Sequence, residues 1–586
     1  MKSYRLRERL HDELIFDLLY SRGIEGEQDI KNFLEPDFVR DSGDPFLLPD
    51  MGVAVERLLS AKKNGEQVAV WSDYDCDGIP GGVMLTEFLR AVGFTARHYI
   101  PHRHTEGYGL NEDGLAELAQ TGVKVIITID LGTTEHESIS YANKKGIDVI
   151  VTDHHQVSPT SYATPETEPP AKRVIGSGAA YDVGNLPPAL AVINPKRADS
   201  AYPFNGLCGA GVAWKLVQAI LSKMREGGQP FDYAEGKEKW LLDLVGLATL
   251  SDMVPLVGEN RMLAHFGLTV MRRNRRPGFA ALLKLLRIKS HTLTEDDIGF
   301  MVAPRINAAS RMDSPEAAAR LLATEDPAEA RELGEALEAL NNQRKGLVAA
   351  TVKEANHRLA QTSVESPVIV MGSPSWRPGI LGLVANSLMG AHGKPVFLWG
   401  REGGETLKGS CRSDGALNVV DLMGTAQRAL PDGVFEDFGG HHAAGGFSLT
   451  QERVHELPTR LAGAYETLRK ISSVVEPVVL EREVDLAEVG HAHTALARLA
   501  PFGEGNRKPL FIFPRVSLEG VRMFGKAQDH LEIKLSKNGV RVPGVSFFSS
   551  QDSFSKKVEA GLTADIVGHI ENDWRGGPRV RVTDVI

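Results

Sequence analysis

Three aspartates at alternate positions, Asp73, Asp75 and Asp77, close the run Val68-Ala-Val-Trp-Ser-Asp73-Tyr-Asp75-Cys-Asp77-Gly78. Carboxylates this close repel one another unless protons or cations lie between them, so the run predicts bound metal. If the chain stays extended, a period of two puts all three on one side. Alone, the run reads equally well as a solvated acidic turn, but later segments supply partners. Asp130 ends Lys124-Val-Ile-Ile-Thr-Ile, Asp153-His154-His155 follows Ile147-Asp-Val-Ile-Val-Thr, and Asp252 follows a helical stretch. Read singly, Asp130 could be a strand-end cap and Asp252 a turn residue; the joint occurrence is the signal. Carboxylate and imidazole without thiolate suit Mn²⁺ or Mg²⁺ better than structural zinc. A bridging carboxylate would hold two ions about 3.5–4 Å apart, which clamp the attacking and leaving oxygens of a phosphoryl group. Hydrolysis of a phosphate ester or anhydride is the expected reaction. Neighbouring side chains point to opposite sides of an extended chain, so His154 and His155 are not both expected on metal; one is left for substrate.

A phosphate also needs positive charge facing the metals. Candidates are Arg103, the stretch Pro304-Arg305-Ile-Asn307-Ala-Ala-Ser310-Arg311, Ser410 with Arg412, and His441 among glycines. Arginine suits bidentate phosphate contacts, and glycine lets backbone amides approach an anion. Arg272-Arg273-Asn-Arg275-Arg276 is expected to be a solvated helix end.

The elements that carry these residues alternate, each N-terminal acid following an apolar run with a helical pattern after it. That alternation predicts βαβ units and a parallel sheet, with the acids at the strands' carboxyl ends, where open α/β sheets place their sites. After the first run, helical spacing covers 81–92; before it, 51–63 reads as helix, and residues 1 to about 50 as helical then irregular. Residues 157–188, rich in Pro, Gly, Ser and Thr, are expected to be an exposed loop. The charged, alanine-rich stretch 326–361 predicts one long helix. A second α/β unit begins at Pro367-Val-Ile-Val-Met, and short strand-like runs from about 475 predict a small barrel. At 586 residues the chain should hold roughly three or four domains. Three widely spaced cysteines, no signal-peptide pattern and no membrane-length apolar run predict a reduced, cytoplasmic protein. The net charge of −10 argues against a broad nucleic-acid-binding surface, although an acid cluster holding metals subtracts from that total.

In series, these motifs resemble the DHH phosphoesterase superfamily, in particular its single-strand DNA exonuclease branch. The resemblance covers DYDCDG at 73–78, TIDLG at 128–132, DHH at 153–155, SDMVPL at 251–256, PRINAASRM at 304–312, GSCRS at 409–413, GGHHAAGG at 439–446 and PFGEGN at 501–506. It implies a parallel-sheet DHH domain (51–325) after an N-terminal helical segment (1–50). A long helix (326–361) then leads to a smaller α/β DHHA1 domain (362–466) and a β-barrel OB-fold (467–586) that completes a ring around single-stranded DNA. It implies processive 5′→3′ hydrolysis to mononucleotides with Mn²⁺ or Mg²⁺, two ions per site, by a monomer acting in repair and recombination. Carried over by position, Asp75, Asp77, Asp130, His154 and Asp252 would hold metal, with Asp73 and His155 close by as catalytic groups. Arg103, Arg305, Arg311, Ser410 and Arg412 would bind the 5′-phosphorylated strand, and Asn307 and His441 would sit against the scissile group. Tyr108 or Phe547 could offer stacking faces to bases, with core packing expected for Phe547. A single-strand-binding protein and a RecQ-type helicase are the partners the resemblance implies. The chain departs from the family at Ser310, usually glycine, and at Arg377, usually histidine, which predicts a narrowed pocket and an altered phosphate contact.

Two other readings compete. One is a phosphodiesterase acting on short RNA or cyclic dinucleotides, against which the C-terminal barrel speaks. The other is a non-catalytic DNA-binding scaffold, which would not need every ligand position filled.

Overall fold

The computed structural model describes residues 3–157, 186–227, 232–361, 366–401, 406–430, 433–469, 477–525, 528–573 and 576–586. Most of the loop expected at 157–188 therefore lies outside the described residues. The chain divides into two units, Asp44–Asp252 with Gly267–Val474, and Met1–Gly43 with Met253–Phe266 and Val475–Ile586.

In the first unit, the apolar runs become an all-parallel five-stranded sheet in the order Thr95–Tyr99, Gln67–Ser72, Val123–Ile129, Asp148–Thr152, Ala191–Ile193. Helices cover both faces, so the central strands are apolar at every position; Val68, Ala69, Val70 and Trp71 are all fully buried. The edge strand Ala191–Ile193 is too short to stand out as a pattern in the sequence. The following helix begins at Gly78, earlier than the apolar spacing predicts. A Cβ on Gly78 would lie 2.4 Å from the Asp73 carbonyl oxygen, so the acidic turn closes only over glycine.

A second, mixed sheet runs Ile369–Ser373, Val396–Gly400, Leu407–Arg412, Ala444–Leu449, Asp437–Gly440, with the first pair parallel and the rest antiparallel. The last helix before the second sheet, Pro327–Ala360, has 34 residues. At 1.5 Å per residue it is about 50 Å long. Asp326 caps it by accepting from the Ala328 amide at 2.8 Å.

Of the arginine run 272–276, Arg272, Arg273 and Arg275 are exposed at and just past the end of the helix Gly258–Arg272, but Arg276 is not solvated. Arg276 bridges Glu87 and Asp243 at 2.8 and 2.9 Å, Arg272 donates to the Leu293 carbonyl, and Arg275 lies 4.1 Å from the Trp240 ring centre. The acids that claim Arg276 come from distant segments, which no local pattern reveals.

In the second unit, Phe511–Phe524 is long enough to pair with both His530–Lys537 and Thr563–Asn572. With Val540–Ser546 and Pro578–Val585 it closes a five-stranded barrel around Phe511, Phe513, Leu531, Ile533 and Ile566. The N-terminal segment differs from expectation: besides short helices it holds a strand, Tyr4–Leu6, parallel to Val478–Leu480. Its helix Leu14–Tyr20 is too short to be stable alone, and Leu14, Ile15, Leu18 and Leu19 join the barrel core. Phe547, expected inside, is 39% exposed, and Phe548 is 83% exposed with left-handed backbone. The strand ends at Ser546, so the in–out alternation lapses before both rings, which instead meet His530 edge-on. No helix among the described residues is long and apolar enough to cross a membrane.

Candidate metal and phosphate site

The acids converge, but not by strand alternation. The strand ends at Ser72, and Asp75 Oδ1 then accepts from the Asp77 and Gly78 amides at 2.8 and 3.1 Å, curling the chain. The Cys76 peptide is pinned on both sides: its amide donates to Asn307 Oδ1 at 2.9 Å, and its carbonyl accepts from Ser251 Oγ at 2.8 Å. Asp77 is held by the Gly209 and Ala210 amides at 2.6 and 2.8 Å, at the positive start of the helix Gly209–Glu226. Asp130 adopts left-handed backbone (φ 63°), a strained conformation that turns its carboxylate inward from the strand end.

Three groups of potential ligand atoms result, each within 4.8 Å of one another: Asp73, Asp75 and Asp130; Asp77, His154 and Asp252; Asp130, His154 and His155. Asp130 belongs to two of them, and its Oδ1 lies 3.1 Å from His154 Nε2. His154 Nε2 is also 3.6 Å from Asp252 Oδ2. The expectation that the two histidines diverge is wrong, because the chain leaves the extended form after Thr152. Asp153 Oδ1 draws in the amides of both histidines and also bonds His155 Nδ1 at 2.8 Å, which swings that ring toward Asp130.

The electrostatics describe a site built for cations. Burial first, and mutual repulsion second, push Asp73, Asp130 and Asp252 well above the ordinary carboxylate range, and Asp77 up to about 7. Burial pulls His154 down to about 3, leaving a neutral imidazole. Burial opposes ionisation of Asp153 too, but His155 and Thr133 outweigh it and hold that carboxyl below the usual range. Asp73 Oδ1, Asp130 Oδ1, Asp252 Oδ2 and His154 Nδ1 are buried without hydrogen-bond partners. Orphaned carboxylate oxygens beside a neutral imidazole fit divalent ions.

Positive charge gathers at the Asp73–Asp75 side. The Arg103 guanidinium stacks 4.7 Å from the Tyr74 ring centre, Arg311 donates to the Gly379 carbonyl at 2.8 Å, and Arg412 donates to the Cys411 carbonyl at 2.7 Å. Among the described residues none of the three has an ion-pair partner. Burial and then the neighbouring Arg103 pull Arg311 down to about 9. Cations kept half out of water without counter-ions favour a bound anion. Ser410 shares its strand face with Arg412. The exposed His441 ring stacks with His155, centres 6.3 Å apart. Tyr108, half exposed, reaches the Asp130 carbonyl at 3.4 Å.

Models of three protein families match in series: the DHH family N-terminal domain over residues 67–249, the DHHA1 domain over 365–467 and the RecJ OB domain over 481–583. The single-stranded-DNA-specific exonuclease RecJ of Bacillus subtilis is 30% identical, over 99% of this chain and 69% of its own length. The chain belongs to the RecJ family. The RecJ of Dickeya dadantii is likewise 30% identical, over 97% of this chain and 95% of its own. Among solved structures, RecJ of Thermus thermophilus in complex with Mn²⁺ superposes with a TM-score of 0.75 at 25% identity, covering 100% of this chain and 79% of that one.

Not every residue singled out in the sequence joins the site. Arg305 is buried and turned away, bonded to Glu338 on the long helix at 2.7 Å and to the Met301 carbonyl at 2.8 Å. It faces away from Arg311 because the two lie six positions apart on one helix, which turns their side chains about 120° from each other. The Ser310 hydroxyl is buried and bends back toward the Asn307 carbonyl at 3.4 Å rather than into the pocket. Arg377 is exposed at the start of the helix Pro378–His392. Sequence reasoning missed Asn194, fully buried, whose Nδ2 donates to His155 O at 2.9 Å and to Thr133 Oγ1 at 3.0 Å. It also missed Lys196, close to the same edge. The signal was present in Ala191-Val-Ile-Asn194-Pro, an apolar run ending in polar residues, but that run is short.

Proposed function

We propose that this chain hydrolyses single-stranded DNA from its 5′ end, releasing 5′-mononucleotides. One observation carries the reading: two ligand groups that share Asp130, one of carboxylates alone and one with both histidines, lie beside three guanidiniums that, among the described residues, lack counter-ions. The curated relatives named for single-strand specificity support the substrate, and the Mn²⁺-bound neighbour supports the cofactor.

Asp75, Asp77, Asp130, His154 and Asp252 would hold two Mn²⁺ or Mg²⁺ ions, with Asp73 and His155 at their edge. Ions bound there would acidify a water and neutralise the phosphoryl oxygens. Arg103, Arg311 and Arg412, with Ser410, receive the terminal 5′-phosphate. A 5′-phosphate held there, with the first internucleotide linkage at the acids, would set the product length at one nucleotide. Water adds to the phosphorus of the first internucleotide linkage, the P–O3′ bond breaks, and the 3′-oxygen departs with a proton. The shortened strand again carries a 5′-phosphate, so each cycle meets the same end. Asp153 fixes the His155 ring against the scissile group, His441 covers it, and Asn307 holds the Cys76 turn in register. Tyr108 stacks on a base, and Phe547 and Phe548 offer the barrel's exposed faces to the strand. On this reading, in a monomer, residues 51–325 supply the metal site with Arg103 and Arg311, 362–466 add Ser410 and Arg412 to the phosphate clamp, and 467–586 are a further single-strand-binding fold. A single-strand-binding protein or RecQ-type helicase would deliver the substrate.

The test is timed digestion of 5′- and 3′-labelled oligonucleotides with and without Mn²⁺. Label released from the 5′ end first as mononucleotide, with blunt duplex largely intact, is expected. Equal digestion of a strand blocked at its 5′ end overturns the polarity.

Proton competition gives a second expected result. Asp77, raised to about 7 by burial and by Asp75, must lose its proton to bind metal. The Mn²⁺ concentration needed for half-maximal thermal stabilisation should therefore rise as pH falls from about 8 to 6. A midpoint insensitive to pH would take the raised acids out of the ligand set.

A further inference from the structure

Lys196 is a charged group close to the acids that the mechanism above does not use. Its backbone is locked in place. Asn194, tied to Thr133 and to the His155 carbonyl, accepts the Lys196 amide at 2.8 Å. The next residue, Arg197, is buried and bonds Asp50 and Asp199, each at 2.7 Å, and the Val192 carbonyl at 2.6 Å. The local acids are thereby spent on Arg197. Among the described residues the Lys196 side chain, half-buried, has neither ion pair nor side-chain hydrogen bond.

The Asn194 bridge sets the Lys196 backbone beside the turn that carries His155, at the edge of the acid cluster. Burial lowers the ammonium's affinity for its proton, opposed by attraction from Asp252, Asp153 and Asp130, in that order. Lys196 acts in turn on His154 and His441. Arg103 acts on Asp73, and Asp75 on Arg311. Metal loading cancels the carboxylates that hold the ammonium there, so a cation fixed on this side then needs an anion of its own.

We propose that Lys196 binds the second internucleotide phosphate, one step 3′ of the scissile linkage. This rests on the exonuclease reading above. With the 5′-phosphate at the arginines and the first linkage at the acids, the strand continues toward the Asp252–His441 side, where Lys196 waits. The leaving 3′-oxygen belongs to the first nucleotide, toward the arginine side, so Lys196 is a substrate-binding residue and not the group that protonates it.

The test is a double-mutant cycle between protein and DNA. Wild type, Lys196→Gln and Lys196→Arg are each given 5′-phosphorylated oligonucleotides that are either unmodified or carry a neutral methylphosphonate at the second linkage, with Mn²⁺. The neutral linkage should cost wild type about tenfold in kcat/KM, mostly through KM, as expected for one charged hydrogen bond. Lys196→Gln should lose about tenfold on unmodified DNA and nothing more on the neutral linkage. Lys196→Arg should behave as wild type on both, which separates lost charge from lost folding. Losses that multiply in Lys196→Gln, or a neutral linkage that costs wild type nothing, overturn the proposal. Wild type inactive on every strand overturns the exonuclease reading instead.

Discussion

Asp130→Asn is expected to abolish hydrolysis while leaving single-strand binding largely in place. Asp130 is the carboxylate common to two of the three ligand groups, so its loss breaks both ends of the centre at once. Removing a bridging ligand from a two-ion site should lower kcat by at least about 10³-fold. Asparagine is the right replacement because it tolerates left-handed backbone better than alanine does. The groups proposed to bind the strand, Arg103, Arg311 and Arg412, lie elsewhere, so the dissociation constant for an oligonucleotide should move little. A second readout separates lost chemistry from lost folding. Neutralising one of several mutually repelling acids should raise the thermal midpoint of the metal-free protein while shrinking the gain on adding Mn²⁺. Turnover within about tenfold of wild type would remove Asp130 from the centre.

Arg412→Ala should make the enzyme indifferent to the state of the 5′ end. A charge-assisted contact to a terminal phosphate is worth roughly 2–3 kcal/mol. The expected loss on 5′-phosphorylated strands is thus about 10²-fold in kcat/KM, with little change on 5′-hydroxyl strands. The side chain is well placed for this: a Cβ on Gly382 would come within 2.7 Å of its Nη2, so the glycine leaves room for the guanidinium against the helix. Equal loss on both kinds of strand would make Arg412 a structural residue.

Particular residues show where sequence reasoning reached and where it stopped. The structure brings Asp130 and Asp252 to the DYDCDG acids, and both were legible because each follows an element whose apolar pattern is unmistakable. Arg305 was misread: it shares a motif with Arg311, but the helix turns it to Glu338. His154 and His155 were judged by strand geometry that ends one residue before Asp153. Lys196 escaped notice because the strand before it has three residues and no periodicity to count.

By itself, the sequence determined the α/β architecture, the long helix, the barrel and which residue types could hold metal. Apolar period, caps and breakers are local properties, written within a few neighbouring positions. Tertiary structure alone decided that the opening 43 residues belong with the barrel, which arginines stay uncompensated, and how a turn rather than an extended strand gathers the acids. Those outcomes depend on which groups meet across hundreds of residues, where one hydrogen bond, such as Asp75 Oδ1 to the Gly78 amide, redirects a side chain that periodicity would have aimed elsewhere.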